Sequence, residues 1–143
     1  MQILFVDQSM IVVSKPPGLL SVPGRGPEKV VCAQTYLEAE FGKTLVVHRL
    51  DMDTSGVMLF ARHKTAQANL SKQFELRAER KTYEAVNAGL LQENFGTISL
   101  SIAKFSLDRP NRHIDPEGQE AVTEFWKLAH SVQTSRVSLM PKT

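Results

Sequence analysis

Short apolar runs separated by polar turns mark the strands expected in this chain. Residues 3–6 and 10–14 are mostly apolar and flank three polar residues, a spacing that predicts an antiparallel hairpin. The prolines and glycine at 15–18 end its second strand, because proline donates no ladder hydrogen bond. A continuous apolar run at 56–61 predicts a buried strand. Further strands are predicted at residues 81–89, 96–101, 121–129 and 135–140.

Two helices are predicted among these strands. Apolar residues recur at helical intervals over residues 30–41, and Gly42 is a typical residue just beyond a helix end. Residues 64–78 show an amphipathic helical pattern. Few helices scattered among antiparallel-looking strands indicate an α+β fold, with a mixed, mainly antiparallel sheet and a few flanking helices. Loops are predicted at residues 19–29, 108–112 and 115–118.

The bulk composition is that of one ordinary soluble domain. The chain has 143 residues, of which 42% are hydrophobic and 22% charged. Its net charge of +2 does not by itself indicate a nucleic-acid partner, although residues 49–81 carry seven basic and four acidic side chains. That local excess suits a phosphate backbone, and a solvated helix surface explains it equally well.

Cysteine content and hydropathy point to the cytoplasm. Cys32 is the one cysteine, which excludes an internal disulfide and indicates a reducing compartment, and its helical surroundings predict a buried structural thiol. The apolar start is too short for a signal peptide. No run approaches the roughly 18 apolar residues that a membrane span needs. We therefore expect a cytoplasmic protein with no membrane partner.

The segment at residues 48–56 is the strongest candidate for a chemical site. Arg49 stands two positions before Asp51, and an apolar run follows. A carboxylate beside a guanidinium at the start of a strand can hold an ionised nucleophile in a partly buried cleft. A calcium loop would need a glutamate where Arg62 stands, and a kinase catalytic loop would not place Leu50 between the arginine and the aspartate. From composition alone, a plain surface ion pair between Arg49 and Asp51 is equally favoured.

Four short segments follow one another in the order of a known family's motifs. They are the Lys-Pro-Pro-Gly run at 15–18 with the apolar strand before it, His48-Arg49-Leu50-Asp51 continuing to Thr54-Ser55-Gly56, Lys81-x-Tyr83-x-Ala85, and residues 137–143. Together they resemble the RluA-type RNA pseudouridine synthases. Residues 20–25 and 109–112 are most similar to the RluA subgroup.

The resemblance implies roles for individual residues. Asp51 would be the catalytic carboxylate, Arg49 would fill the space left by a flipped base, and Tyr83 would stack on that base. The other substrate-binding residues implied are His48, Arg62 and Lys81, with weaker phosphate-contact candidates at Arg25, Lys64, Arg109 and Arg112. Neither metal nor cofactor is expected, which agrees with four histidines that lack ligand-like spacing.

The resemblance also implies an organisation and a substrate. Residues 1–143 would form the pseudouridine synthase catalytic domain with no S4 domain, incomplete at the C-terminus because the chain ends before the family's Gly-Arg-x-His-Gln motif. The partner would be RNA, at position 32 of the tRNA anticodon loop or position 746 in a 23S rRNA stem-loop. The full-length enzyme is expected to be a monomer. The alternative is a catalytically impaired RNA-binding fragment of such an enzyme.

Overall fold

The computed structural model describes residues 1–105 and 111–143, and of Glu28 it describes the backbone only. The phosphate-contact candidate Arg109 and most of the loop predicted at 108–112 lie outside the described residues. The chain divides into two compact units, Met1–Glu79 and Arg80–Thr143. Within the described parts, no helix is long and apolar enough to cross a membrane.

The first unit contains a four-stranded antiparallel sheet and two helices. The strand order is β1-β2-β4-β3. The strands are β1 (Gln2–Val6), β2 (Met10–Lys15), β3 (Leu45–Val46) and β4 (Gly56–Ala61). The helices are α1 (Ala33–Phe41) and α2 (Lys64–Glu75), with a short 3-10 turn at Pro27–Lys29. The predicted hairpin, the strand at 56–61 and both helices are confirmed.

Alternation along β2 and β4 forms the core of this unit. Ile11 and Val13 of β2 are fully buried, as are Met58 and Phe60 of β4. They pack with Leu37 and a neighbouring alanine of α1. Each large apolar side chain removed from water contributes about 1.5–3 kcal/mol, so this cluster holds the sheet against the helix.

The ends of α1 are set by two different residues. Cys32 is its N-cap: the sulfur accepts a hydrogen bond from the Thr35 N–H at 3.5 Å, and the Thr35 hydroxyl accepts one from the Cys32 N–H at 3.0 Å. The helix therefore begins three residues later than predicted. Cys32 is a buried free thiol, as expected. Gly42 follows the helix with φ 75°, a conformation that favours glycine.

The second unit is a five-stranded antiparallel sheet in the order β5-β9-β8-β6-β7. The strands are β5 (Tyr83–Ala88), β6 (Phe95–Lys104), β7 (Arg112–Ile114), β8 (Gln119–His130) and β9 (Thr134–Pro141). The α+β class is confirmed, with the strands divided between two sheets, one in each unit.

The prediction missed the shortest elements and some ends. β3 has two residues and β7 three, too few for a periodic pattern, and the first residue of β7 falls where a loop was predicted. α2 ends at Glu75 instead of Ala78, because Arg77 adopts a positive φ of 53° that a helix does not tolerate.

Candidate active site

Asp51 and Arg49 lie on the segment between β3 and β4 and line one cavity. The cavity measures about 500 Å³, within the range of sites for small molecules. Both side chains are exposed, whereas Leu50 between them packs against the core. The other lining residues are Leu20, Ser21, Val22, Leu50 and Met52. The segment thus places Arg49 and Asp51 at the same cavity.

Lys15, the last residue of β2, supports this segment from below. Its side chain is fully buried, and its ammonium donates hydrogen bonds to the carbonyl oxygens of Pro16 at 3.0 Å, Leu19 at 2.7 Å and Met52 at 3.0 Å. The Met52 carbonyl also accepts from the Gly18 N–H at 2.9 Å. Two motifs that are far apart in sequence are therefore joined at the residue immediately after Asp51.

The charge of Lys15 is itself affected by this position. Burial lowers the pKa of Lys15, while the negative charges of Asp53 and Asp51 act in the opposite direction. Within the described residues, the Lys15 ammonium forms no direct ion pair. Its hydrogen bonds go to backbone carbonyls instead.

Ser21 holds the residue immediately before Asp51. Its buried hydroxyl donates to the Leu50 carbonyl at 2.5 Å and accepts from the Leu50 N–H at 3.1 Å. The backbone on both sides of Asp51 is therefore held by buried polar side chains, Ser21 before it and Lys15 after it.

A tight turn then connects Asp51 to β4. The Thr54 N–H donates to the Asp51 carbonyl at 3.1 Å and closes the turn. Gly56 begins β4 with φ 142°, which a residue with a side chain rarely adopts, and it pairs with Lys15 across the sheet. This register places the turn beside the end of β2.

The geometry distinguishes among the interpretations of the charged segment. In residues 1–105 and 111–143, no ion pair joins Arg49 to Asp51, so the plain surface ion pair is not what the structure shows. The same ranges contain no group of three or more His, Cys, Asp or Glu side chains placed to hold a metal ion. The residues after the turn form β4, not the second half of a calcium loop.

His48 belongs to the internal support of the first unit. Its Nε2 accepts a hydrogen bond from the Leu59 N–H of β4 at 3.1 Å. Its ring stacks on Phe74 of α2, with ring centroids 4.6 Å apart and an interplanar angle of 20°. The histidine therefore links β4 with α2, and its contact with substrate stays a prediction.

Arg62 is engaged with the β1–β2 turn. Its Nη1 donates to the Asp7 carbonyl at 2.7 Å, and its backbone N–H donates to the Ser9 carbonyl at 2.9 Å. A guanidinium has five N–H donors, so a phosphate contact in addition stays a prediction.

Tyr83 and Lys81 belong to the second unit. Tyr83 is the first residue of β5 and is opposite Leu139 of β9, and Lys81 lies just before the strand. Both side chains are half-buried and share a face with Ala85, while the residues between them are exposed. The strand predicted at 81–89 is confirmed as β5, and the substrate roles of Tyr83 and Lys81 stay predictions.

Sequence reasoning missed the two supporting residues, Lys15 and Ser21. A signal existed for Lys15, because it continues the two-residue period of the buried Ile11 and Val13 on β2. For Ser21, inside a predicted loop, the sequence carried no comparable signal.

Comparison with known proteins identifies a family for this chain. Residues 9–143 match the RNA pseudouridylate synthase family. The dual-specificity RNA pseudouridine synthase RluA of Haemophilus influenzae is 39% identical, covering 100% of this chain and 66% of its own length. The protein of the same name from Vibrio vulnificus is 38% identical, covering 99% of this chain and 59% of its own length.

A solved human structure is similar throughout the chain. Human RNA Pseudouridylate Synthase Domain Containing 1 has a TM-score of 0.82 and 25% sequence identity, covering 99% of this chain and 59% of that protein. The chain therefore spans about 59–66% of the length of these relatives. Because the family match covers residues 9–143, from just before β2 to the last residue, the chain belongs to the RNA pseudouridylate synthase family.

Proposed function

We propose that this chain carries the reaction centre for isomerising uridine to pseudouridine in structured RNA. The observation that supports it most is the position of Asp51: exposed in a cavity of about 500 Å³, beside Arg49, on a backbone held from both sides. The family to which the chain belongs supports pseudouridine formation as the chemistry proposed for that cavity.

In this reaction the bond between uracil N1 and ribose C1′ breaks, the base rotates, and a bond forms between C5 and C1′. The C5 proton leaves and N1 gains one, so the atoms balance without an external reactant. The Asp51 carboxylate acts either as a nucleophile on a carbon or as a base toward a ribose proton. Both roles require a carboxylate held close to the sugar, which is what the supports of Leu50 and Met52 would provide.

The target uridine must leave its stack before Asp51 can reach it, at a cost of a few kcal/mol. We propose that Arg49, which lines the same cavity, occupies the vacated space in the RNA. Tyr83 would stack on the flipped base, a contact worth about 1–3 kcal/mol. His48, Arg62 and Lys81 complete the proposed substrate-binding set.

The proposed substrate is a stem-loop, the tRNA anticodon loop or a hairpin of 23S rRNA. The relatives named dual-specificity RNA pseudouridine synthase support this choice. We further propose that both units serve a single catalytic domain that needs no metal or cofactor, that the protein is cytoplasmic, and that the full-length enzyme is a monomer.

The direct test is to map pseudouridine in tRNA and 23S rRNA transcripts after incubation with the chain and with Asp51→Asn. We expect no product from Asp51→Asn and RNA affinity within a few fold, because the substitution removes one charge and keeps the shape. Asp53→Asn is the matched control, since it changes the same charge two residues further along. It should retain turnover within several fold. Turnover by Asp51→Asn would contradict the proposed role of this carboxylate.

We propose RNA binding without turnover as the second candidate function. The chain spans about 59–66% of the length of these relatives, so its own turnover has to be measured separately from that of a longer version. A version extended by the parts of the Haemophilus influenzae relative that lie outside the aligned region separates the two functions. Product from the extended version alone, with RNA bound by both, would support RNA binding as the function of this chain. Product from neither would contradict the enzymatic proposal.

A further inference from the structure

Ser21 makes two hydrogen bonds with a distant part of the chain. The residue is 4% exposed, and its one hydroxyl group bonds both backbone groups of Leu50, donating to the carbonyl and accepting from the N–H. The two residues are 29 positions apart. A buried backbone N–H or carbonyl without a hydrogen-bond partner destabilises the fold. The Ser21 hydroxyl therefore supplies Leu50 with the hydrogen bonds that a neighbouring strand supplies within a sheet.

Leu50 has no neighbouring strand that supplies these backbone hydrogen bonds. It lies between β3 and β4, outside both ladders. Its own side chain packs against the core, so the backbone is held on one side by apolar contact and on the other by the Ser21 hydroxyl. The residues on either side, Arg49 and Asp51, both face the cavity.

Ser21 is in turn anchored to the beginning of α1. The Ala33 N–H donates to the Leu20 carbonyl at 2.7 Å, and the Gln34 N–H donates to the Ser21 carbonyl at 3.3 Å. Leu20 also forms an isolated parallel bridge with Cys32, the N-cap of the helix. A continuous path of hydrogen bonds therefore runs from the first turn of α1 through Ser21 to the backbone between Arg49 and Asp51.

We propose that Ser21 is a positioning residue, which sets the placement of Asp51 relative to Arg49 by holding both backbone groups of Leu50. This inference rests on the proposed function of the cavity. Ser21 acts through Leu50, and its substitution should affect the chemical step more than the binding of RNA. A misplacement of about 1 Å in a reacting group can lower a rate about 100-fold. A small displacement of Asp51 caused by substituting Ser21 should therefore lower the rate of the chemical step measurably.

The test compares Ser21→Ala with Ser135→Ala. Ser135 is a matched control in the second unit: it is fully buried, and its hydroxyl also joins two distant backbone groups, accepting from the Leu91 N–H at 3.0 Å and donating to the Gly89 carbonyl at 3.1 Å. Both variants lose the same atom and the same kind of contacts. They are compared at a temperature where circular dichroism shows both to be folded.

Two measurements are made on each variant. Single-turnover pseudouridine formation should fall about 10- to 100-fold in Ser21→Ala, with the Kd for the transcript within about threefold. Ser135→Ala should keep the rate within about twofold. By nuclear magnetic resonance, the Leu50 amide should exchange about tenfold faster in Ser21→Ala, and the Asp51 carboxyl resonance should move, because the hydroxyl no longer protects that amide.

Each outcome decides the proposal. An unchanged single-turnover rate in Ser21→Ala, or equal losses in both variants, would overturn it. If the wild-type chain forms no pseudouridine, the proposed function fails separately and the resonance data decide the positioning role. In that case faster Leu50 exchange with a displaced Asp51 resonance supports the role, and unchanged exchange and resonance overturn it.

Discussion

Replacing Lys15 with methionine tests a buried side chain that donates three hydrogen bonds at the site. Methionine matches the length of the lysine stem and removes the ammonium, so the carbonyls of Pro16, Leu19 and Met52 lose a common donor. Met52 retains its bond from the Gly18 N–H, which should keep the loop partly in place. We expect a folded but less stable protein with a poorly held Asp51.

The magnitude follows from two opposing terms. Hydrogen bonds from a charged donor contribute about 1.5–3 kcal/mol each, so three of them represent on the order of 5–9 kcal/mol. Burying an ammonium costs several kcal/mol, and burial lowers the pKa of Lys15 for the same reason. The net destabilisation by Lys15→Met should therefore be about 2–4 kcal/mol, which lowers the urea midpoint by about 1–2 M at a typical slope.

Urea denaturation followed by circular dichroism measures this change, and Lys127→Met is the matched control. The Lys127 ammonium also bonds two loop carbonyls, Leu91 at 2.9 Å and Gln92 at 3.4 Å, but its side chain is half-buried and belongs to the second unit. The control should lose about 1 kcal/mol or less and keep turnover. Lys15→Met within about 0.5 kcal/mol of wild type would refute the view that the three bonds outweigh desolvation.

The remaining predictions concern the stability of the first unit. Gly56→Ala should lower the free energy of unfolding by about 1–3 kcal/mol, because φ 142° strains a residue with a side chain. Steric overlap adds little, since the new Cβ would lie 3.6 Å from Leu50 Cδ1. An unchanged urea midpoint would contradict this prediction. Phe60→Ala, which empties a fully buried position, should cost about 3–5 kcal/mol in the same assay, and a loss below about 1 kcal/mol would show that the core refills the space. Backbone N–H groups of Met10 and Ser9 hold the pKa of Asp7 below its usual range. The Asp7 carboxylate therefore stabilises the folded state above the unfolded pKa of about 3.9, and this stabilisation is lost as pH falls through the lower pKa of the folded state. The urea midpoint of Asp7→Ala should therefore fall less steeply at acid pH than that of the wild type. An identical fall in the variant would exclude Asp7 as the cause.

Local pattern was sufficient for most of the secondary structure. The hairpin, β4, both helices and the long strands of the second unit follow from two-residue or helical periods. Errors occur where a local pattern is too short or is overridden: β3 has two residues, and the Arg77 backbone ends α2 before the apolar pattern stops. The division of the strands into two sheets could not be predicted, because periodicity indicates which face of a strand is buried and not which strand is its neighbour.

The candidate site shows the same limit. Asp51 and Arg49 were recognised because their motif is contiguous, and the structure places both on one cavity. His48 was assigned to the substrate from the same motif, yet its ring and Nε2 contact α2 and β4. Adjacency in sequence did not indicate which side of the segment each side chain occupies, since the backbone between β3 and β4 has no regular period.

By itself the sequence indicated the family and the class of fold, which are recorded in short contiguous patterns, and it proposed the residues for the chemistry. Only the tertiary structure showed what holds that chemistry in place. Lys15 bonds Met52 across 37 positions and Ser21 bonds Leu50 across 29, and neither separation matches a helical or strand period. The physical reason is that a hydrogen bond forms wherever folding brings donor and acceptor within about 3 Å. That approach depends on how β2, β4 and α1 pack together and leaves no regular spacing along the chain.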